Sequence, residues 1–138
     1  MYERNILDRI LDRDNLNVAY EQVRRNKGVA GIDGMTTDEI GVYLLRNKEE
    51  MITEIRQRKY QPSPVLRVEI PKPNGGVRLL GIPTVKDRVI QQAISQVLTP
   101  IFDKHFSEYS YGFRPNRQAQ MAITQALEFF NEGYDWIV

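Results

Sequence analysis

Apolar side chains recur every three to four residues over most of this chain, which is the pattern of helices with one buried face. Glycine, proline or short polar residues mark the places where that period is interrupted. The helices predicted in this way span residues 3–12 and about 15–26, a segment that starts at Thr36 and restarts at Asn47, and residues of about 84–102 and 116–131.

Short polar side chains stand where several of these helices should begin. Their oxygen atoms can accept hydrogen bonds from the free N–H groups of a first helical turn. Two of the sites also have an acidic residue three positions later, which is the spacing of a capping box. The predicted caps are Asp14, Thr36 with Glu39, Thr84 with Asp87, and Asn116.

Residues 65–83 show a different period. Apolar and polar side chains alternate on both sides of an Asn-Gly-Gly turn at 74–76, which predicts an antiparallel β-hairpin. Lys72 and Arg78 flank this turn. Two cations beside free backbone amides suit a phosphate-rich partner, and the alternative is an ordinary hairpin with solvated basic residues. The expected fold class is α+β, mostly helical with one hairpin.

The charges of the chain are unevenly distributed although the net charge is only +1. Residues 56–91 carry eight basic and two acidic side chains, whereas both flanking segments are net negative. A local basic segment of this kind favours a nucleic-acid partner. Protection of an edge strand by basic residues is the alternative, but eight against two exceeds what that role needs.

The composition excludes several kinds of site. The chain has no cysteine and one histidine among its 138 residues, so thiolate chemistry and sites with several histidines are excluded. No apolar run approaches the length of a membrane span, and the N-terminus lacks the form of a signal peptide. We therefore expect no membrane partner and a cytoplasmic location.

Two loops are candidates for contact with a ligand. Residues 27–35 contain three glycines, which indicate either a simple helix connector, favoured by composition, or a mobile loop that approaches a ligand closely. Residues 103–116 combine aromatic side chains with Arg114. Such side chains can stack on bases, and they can equally anchor the loop to the core.

In combination, these segments resemble the N-terminal part of a bacterial group II intron reverse transcriptase, also called a maturase. The order and spacing of the motifs match over nearly the whole chain. They are Lys27-Gly28 through Gly31-Ile32-Asp33-Gly34-Met35, the hairpin Ile70–Arg78, Leu80–Thr84, Asp87–Ala93, Phe106-Ser107-Glu108, and Ser110–Pro115.

The resemblance implies the fingers of a right-hand polymerase and gives roles to particular residues. Lys72 and Arg78 match the cations that bind the triphosphate of the incoming dNTP. Arg114 is expected to contact the template. The loop that packs over the template and its new base pair corresponds to Gly28, Val29, Ala30, Gly31 and Ile32.

The resemblance also implies a division of the chain. Residues 1–35 would form N-terminal helices and the glycine-rich lid, 36–133 the fingers, and 134–138 the start of a palm strand. The palm carboxylates that hold Mg²⁺ in the complete enzyme match no position here, so no catalytic or metal residue is assigned and the chain alone should not polymerise DNA. Expected partners are the RNA template, dNTP and the RNA/DNA duplex.

Two other interpretations remain open. Because maturases of this family also bind their intron RNA and assist its splicing, the chain could serve as an intron-RNA-binding module. It could also be a fragment with no affinity of its own. Exposure of the surface that should face the palm makes self-association plausible.

Overall fold

The structure is a computed structural model that describes residues 5–136. It confirms the α+β class, with helices around one antiparallel hairpin. The chain divides into two compact units, of which the first ends at Leu98 and the second begins at Thr99. The elements are α1 (Ile6–Ile10), α2 (Arg13–Asn26), α3 (Ile40–Arg56), β1 (Leu66–Pro71), β2 (Val77–Ile82), α4 (Val85–Phe102), a 3₁₀ turn (Asp103–His105) and α5 (Ala119–Asn131).

The core of the first unit lies where α2, the start of α3 and the first turns of α4 meet. The apolar stripe predicted for α4 faces this core, because Val85, Val89 and Ala93 have at most 1% of their surface exposed. The buried side chains that form this core are Leu16, Ala19, Val23, Ile40, Val85, Val89 and Ala93.

Three predicted helix boundaries are wrong. The cap of α2 is Asp12, whose carboxylate accepts the Asp14 N–H at 3.0 Å, so the helix begins before Asp14. Asn47 does not restart a helix, because its amide donates to the Tyr43 carbonyl at 2.8 Å within a continuous α3. Asn116 has φ +58°, and α5 begins only after Gln118.

The capping box predicted at Thr36 is half formed. The Glu39 carboxylate accepts hydrogen bonds from the Thr36 N–H at 2.9 Å and from its hydroxyl at 2.8 Å. The bond from the backbone is the main cause of a lowered pKa of Glu39. These hydrogen bonds lie in the turn that precedes the helix, however, since α3 itself begins at Ile40.

The predicted palm strand, residues 134–138, lies only partly within the described residues. Residues 134–136 are not in a strand, and residues 137 and 138 lie outside the described residues, so that strand stays a prediction. Within residues 5–136, no helix has both the length and the apolar character needed to cross a membrane.

Candidate nucleotide-binding hairpin and neighbouring loops

The hairpin turns through a tight connection that requires glycine. The Lys72 carbonyl accepts the Gly75 N–H at 3.1 Å, and the Lys72 N–H donates to the Gly76 carbonyl at 3.1 Å. Gly75 and Gly76 have φ of +83° and +85°, in the left-handed region that glycine adopts without strain. The turn therefore places Lys72 directly opposite Gly76.

The strand register brings the two predicted cations onto one face of the hairpin. Arg78 pairs with Ile70, and paired residues point to the same side of a sheet. Lys72 follows Ile70 by two positions, so it lies on that side as well. Both side chains are exposed, and within residues 5–136 neither has an ion-pair partner.

Folding raises the ratio of basic to acidic side chains at the surface of the basic segment, residues 56–91. One of its two acidic residues, Asp87, has 3% of its surface exposed. The other, Glu69, is exposed. Six of the eight basic side chains are exposed, and they are Arg56, Arg58, Lys59, Arg67, Lys72 and Arg78.

The glycine-rich loop packs against the start of α4. A Cβ atom at Gly31 would lie 2.6 Å from the Thr84 Cα, a distance that atoms do not adopt, so only glycine fits there. The Arg88 guanidinium donates a hydrogen bond to the Val29 carbonyl. Gly31 therefore allows the loop to lie close to the protein's own backbone, at Thr84. Val29 and Ile32 remain exposed by 66% and 54%.

A buried carboxylate at the root of the hairpin is the feature that the sequence interpretation missed. Asp87 was expected only as a cap partner of Thr84, whose hydroxyl does donate to it at 2.6 Å. Asp87 also accepts the Ser63 N–H at 3.1 Å and the Tyr60 hydroxyl. Burial, followed by the hydrogen bond to Asp87, raises the pKa of Tyr60. The sequence feature that could have identified Asp87 is an acidic residue on a helix face that is otherwise apolar.

Arg114, in the second unit, turns inward. Its side chain is only 9% exposed and forms an ion pair of 2.8 Å with Asp103. It also donates to the carbonyls of Asp103, Ser107 and Ser110 at 2.9, 2.7 and 3.1 Å, and its guanidinium lies 5.4 Å from the Phe106 ring centre. These contacts assign Arg114 to the loop's own structure. Template contact by Arg114 stays a prediction.

The carboxylates of this part of the chain do not converge. Among residues 5–136, no three His, Cys, Asp or Glu side chains come close enough together to hold a metal ion. The groups exposed around the hairpin tip are therefore the cations Lys72 and Arg78 and the backbone amides of the turn.

Comparison with known proteins identifies the family of the chain. Residues 70–137 match the model of the family described as reverse transcriptase (RNA-dependent DNA polymerase). This chain belongs to the reverse transcriptase family.

Among reverse transcriptases, the curated relatives place this chain with the group II intron type. The chain is 34% identical over 130 residues to the group II intron-encoded protein LtrA of Lactococcus lactis, covering 94% of this chain and 21% of that protein. It is 40% identical over 93 residues to Protein YkfC of Escherichia coli K12, covering 67% of this chain and 24% of YkfC. The chain thus spans about a quarter or less of these relatives.

A solved structure shares the fold. A chain of a partial Cas6-RT-Cas1–Cas2 complex superposes with a TM-score of 0.56 at 22% identity, covering 97% of this chain and 21% of that one. The likeness supports the arrangement of helices and hairpin described above.

Proposed function

We propose that this chain forms the fingers of an RNA-directed DNA polymerase and that Lys72 and Arg78 bind the triphosphate of the incoming dNTP. The observation that carries the proposal is that both cations are exposed, without ion-pair partners in the described part of the chain, on one face of the hairpin tip. Negative charge develops on the departing pyrophosphate during phosphoryl transfer, and cations fixed beside it stabilise the transition state.

The glycine-rich loop supplies the second contact in this proposal. Gly28 to Ile32 would lie over the RNA template and its base pair with the incoming nucleotide. Its exposed apolar side chains, Val29 and Ile32, suit packing against bases or sugars, while Gly31 and Arg88 keep the loop backbone on α4. In the complete enzyme, Mg²⁺ would neutralise the transferring phosphates, and this chain's own contribution is to hold the triphosphate and the template.

Single alanine substitutions in the full-length enzyme test the proposal. Lys72→Ala and Arg78→Ala should each raise the KM for dNTP, or lower kcat, by about tenfold, the value of one lost charge-assisted hydrogen bond. The affinity for primer–template should change by less than about twofold, because the rest of the nucleic-acid surface is intact.

Arg67→Ala is the matched control. Arg67 is an exposed arginine of the same hairpin whose register, opposite Gly81, puts it on the other face. Its removal should leave nucleotide kinetics unchanged. Wild-type kinetics in both the Lys72 and the Arg78 variants would exclude the triphosphate contact.

Binding of intron RNA is a second candidate, favoured by the exposed basic residues outside the hairpin tip, such as Arg58 and Lys59. Contacts with phosphates release counterions, so the affinity should fall steeply with salt and Arg58→Ala/Lys59→Ala should reduce the slope by about two. A preference for the cognate intron RNA would support this function. Absence of binding at low salt would exclude it.

A further inference from the structure

The root of the hairpin is organised differently from its tip. The chain enters β1 through residues 60–65 and leaves β2 through Pro83 and Thr84. Both connections meet the same buried carboxylate. Asp87 accepts the Tyr60 hydroxyl and the Ser63 N–H from the entering segment, and the Thr84 hydroxyl from the leaving segment.

Asp87 is itself buried and hydrogen-bonded. It lies in the first turn of α4, where its own N–H donates to the Thr84 hydroxyl oxygen at 3.2 Å. The neighbouring residues Val85 and Val89 are 0% and 1% exposed and belong to the core. A carboxylate in this position connects the exposed hairpin to the buried core of the first unit.

The hairpin otherwise has few packing contacts to fix its direction. Among the residues of β1 and β2, none is fully buried. Lys72 lies six residues beyond the start of β1, a distance of about 20 Å along an extended strand. At that length, a rotation of about 10° at the root would move the tip by about 3.5 Å. Such a displacement would separate a cation from its phosphate.

We propose that Asp87 is a positioning residue, which fixes the direction of the hairpin by bonding to both of its connections and so places Lys72 and Arg78 at the triphosphate. The inference rests on the proposed function of those two cations. Asp87 has no contact with the nucleotide in this scheme. Its effect on nucleotide binding passes entirely through the geometry of the hairpin.

The kinetic test uses the full-length enzyme with its concentration corrected for active sites. Asp87→Ala should raise the KM for dNTP by about tenfold, while kcat at saturating dNTP and primer–template affinity fall by less than about twofold. Thr84→Val, which removes only the hydroxyl at the leaving connection, should raise KM by about threefold. A merely structural role would lower the active fraction and leave KM unchanged.

Two conservative variants are the controls. Thr84→Ser keeps the hydroxyl that bonds to Asp87, and Ser63→Ala keeps the backbone N–H that does so. Both should retain the wild-type KM. If Asp87→Ala does not fold, Thr84→Val and Tyr60→Phe decide the question. Thr84→Val removes both hydrogen bonds between the Thr84 hydroxyl and Asp87, Tyr60→Phe removes one, and each nearly preserves the volume of the side chain. A wild-type KM in both would overturn the inference.

A measurement without catalysis separates this inference from the proposed function. The chain contains no cysteine, so spin labels can be attached to cysteines introduced at Asn74 in the hairpin tip and at the exposed Arg24 on α2. The distance distribution should broaden or shift in Asp87→Ala and stay unchanged in Lys72→Ala. An unchanged distribution in Asp87→Ala would overturn the inference.

The two sets of variants can fail independently. If Lys72→Ala and Arg78→Ala raise KM but Asp87→Ala does not, the triphosphate contact stands and the positioning role is excluded. If the hairpin moves in Asp87→Ala while the two cation variants keep the wild-type KM, Asp87 directs the hairpin but the proposed function of the cations fails, and the inference fails with it.

Discussion

The hairpin tip and the loop at 103–117 both carry basic side chains but use them in opposite ways. At the tip, Lys72 and Arg78 project from exposed strands and have no ion-pair partner among the described residues. In the loop, Arg114 bonds to one carboxylate and three carbonyls, and Arg117 donates to the Glu108 carbonyl at 2.7 Å.

The difference follows from how each segment satisfies its backbone. The strands of the hairpin pair their N–H and C=O groups with one another, so their side chains are free for a partner. The loop has no such ladder, and its carbonyls accept hydrogen bonds from its arginines instead. An arginine in an irregular, aromatic-rich loop is therefore weaker support for a ligand site than one on a regular hairpin.

Loss of Arg114 should have the largest effect on stability. Arg114→Ala removes an ion pair of which one partner is 9% exposed, and it leaves several carbonyls without a donor. We expect a loss of about 2–4 kcal/mol in the free energy of unfolding of this region, measured by denaturant titration. Arg114→Lys should recover little of it, because an ammonium group cannot reproduce the planar set of donors.

The matched variant at the tip is Arg78→Ala, which should change the free energy of unfolding by less than about 0.5 kcal/mol. Equal effects of Arg78→Ala and Arg114→Ala would contradict the distinction between exposed and inward cations.

Glycines give a second, smaller contrast. Gly31→Ala places a methyl group 2.6 Å from the Thr84 Cα, and the loop must move away from α4 to accommodate it. We expect a loss of about 1–3 kcal/mol, measured by thermal or denaturant unfolding. Gly112→Ala is the control, since no atom lies within 4 Å of the added group and its φ is not positive. A neutral Gly31→Ala would show that the loop is not held against α4.

The smallest expected effect concerns pH and Tyr60. Its pKa is raised in the folded state by burial and by Asp87, so the folded chain keeps a proton that the unfolded chain loses above about pH 10. The stability that the hydroxyl contributes is present below that pH and declines as the pH rises. The difference in unfolding free energy between wild type and Tyr60→Phe should therefore shrink between about pH 9 and 11. A constant difference would contradict the bond to Asp87.

Periodicity alone predicted most of the fold. The wide apolar stripe of α4 and the Asn-Gly-Gly turn lead directly to a buried helix and a hairpin, because both signals are local in sequence. The wrong predictions also concern local features, namely the boundaries of helices. At Asp14, Asn47 and Asn116 a short polar side chain was taken as a cap, whereas such side chains have several alternative hydrogen bonds available and the sequence does not choose among them.

The sequence by itself determined the family motifs, the hairpin and the pair of cations that flank its turn, since these depend on neighbouring residues and on the alternation of a strand. Only the tertiary structure decided which polar groups turn inward. Asp87 bonds to Tyr60 and Ser63, which lie more than twenty positions earlier in the chain. Gly31 contacts Thr84, which lies more than fifty positions later. Contacts between such distant segments arise from how the helices pack, and no local pattern encodes them.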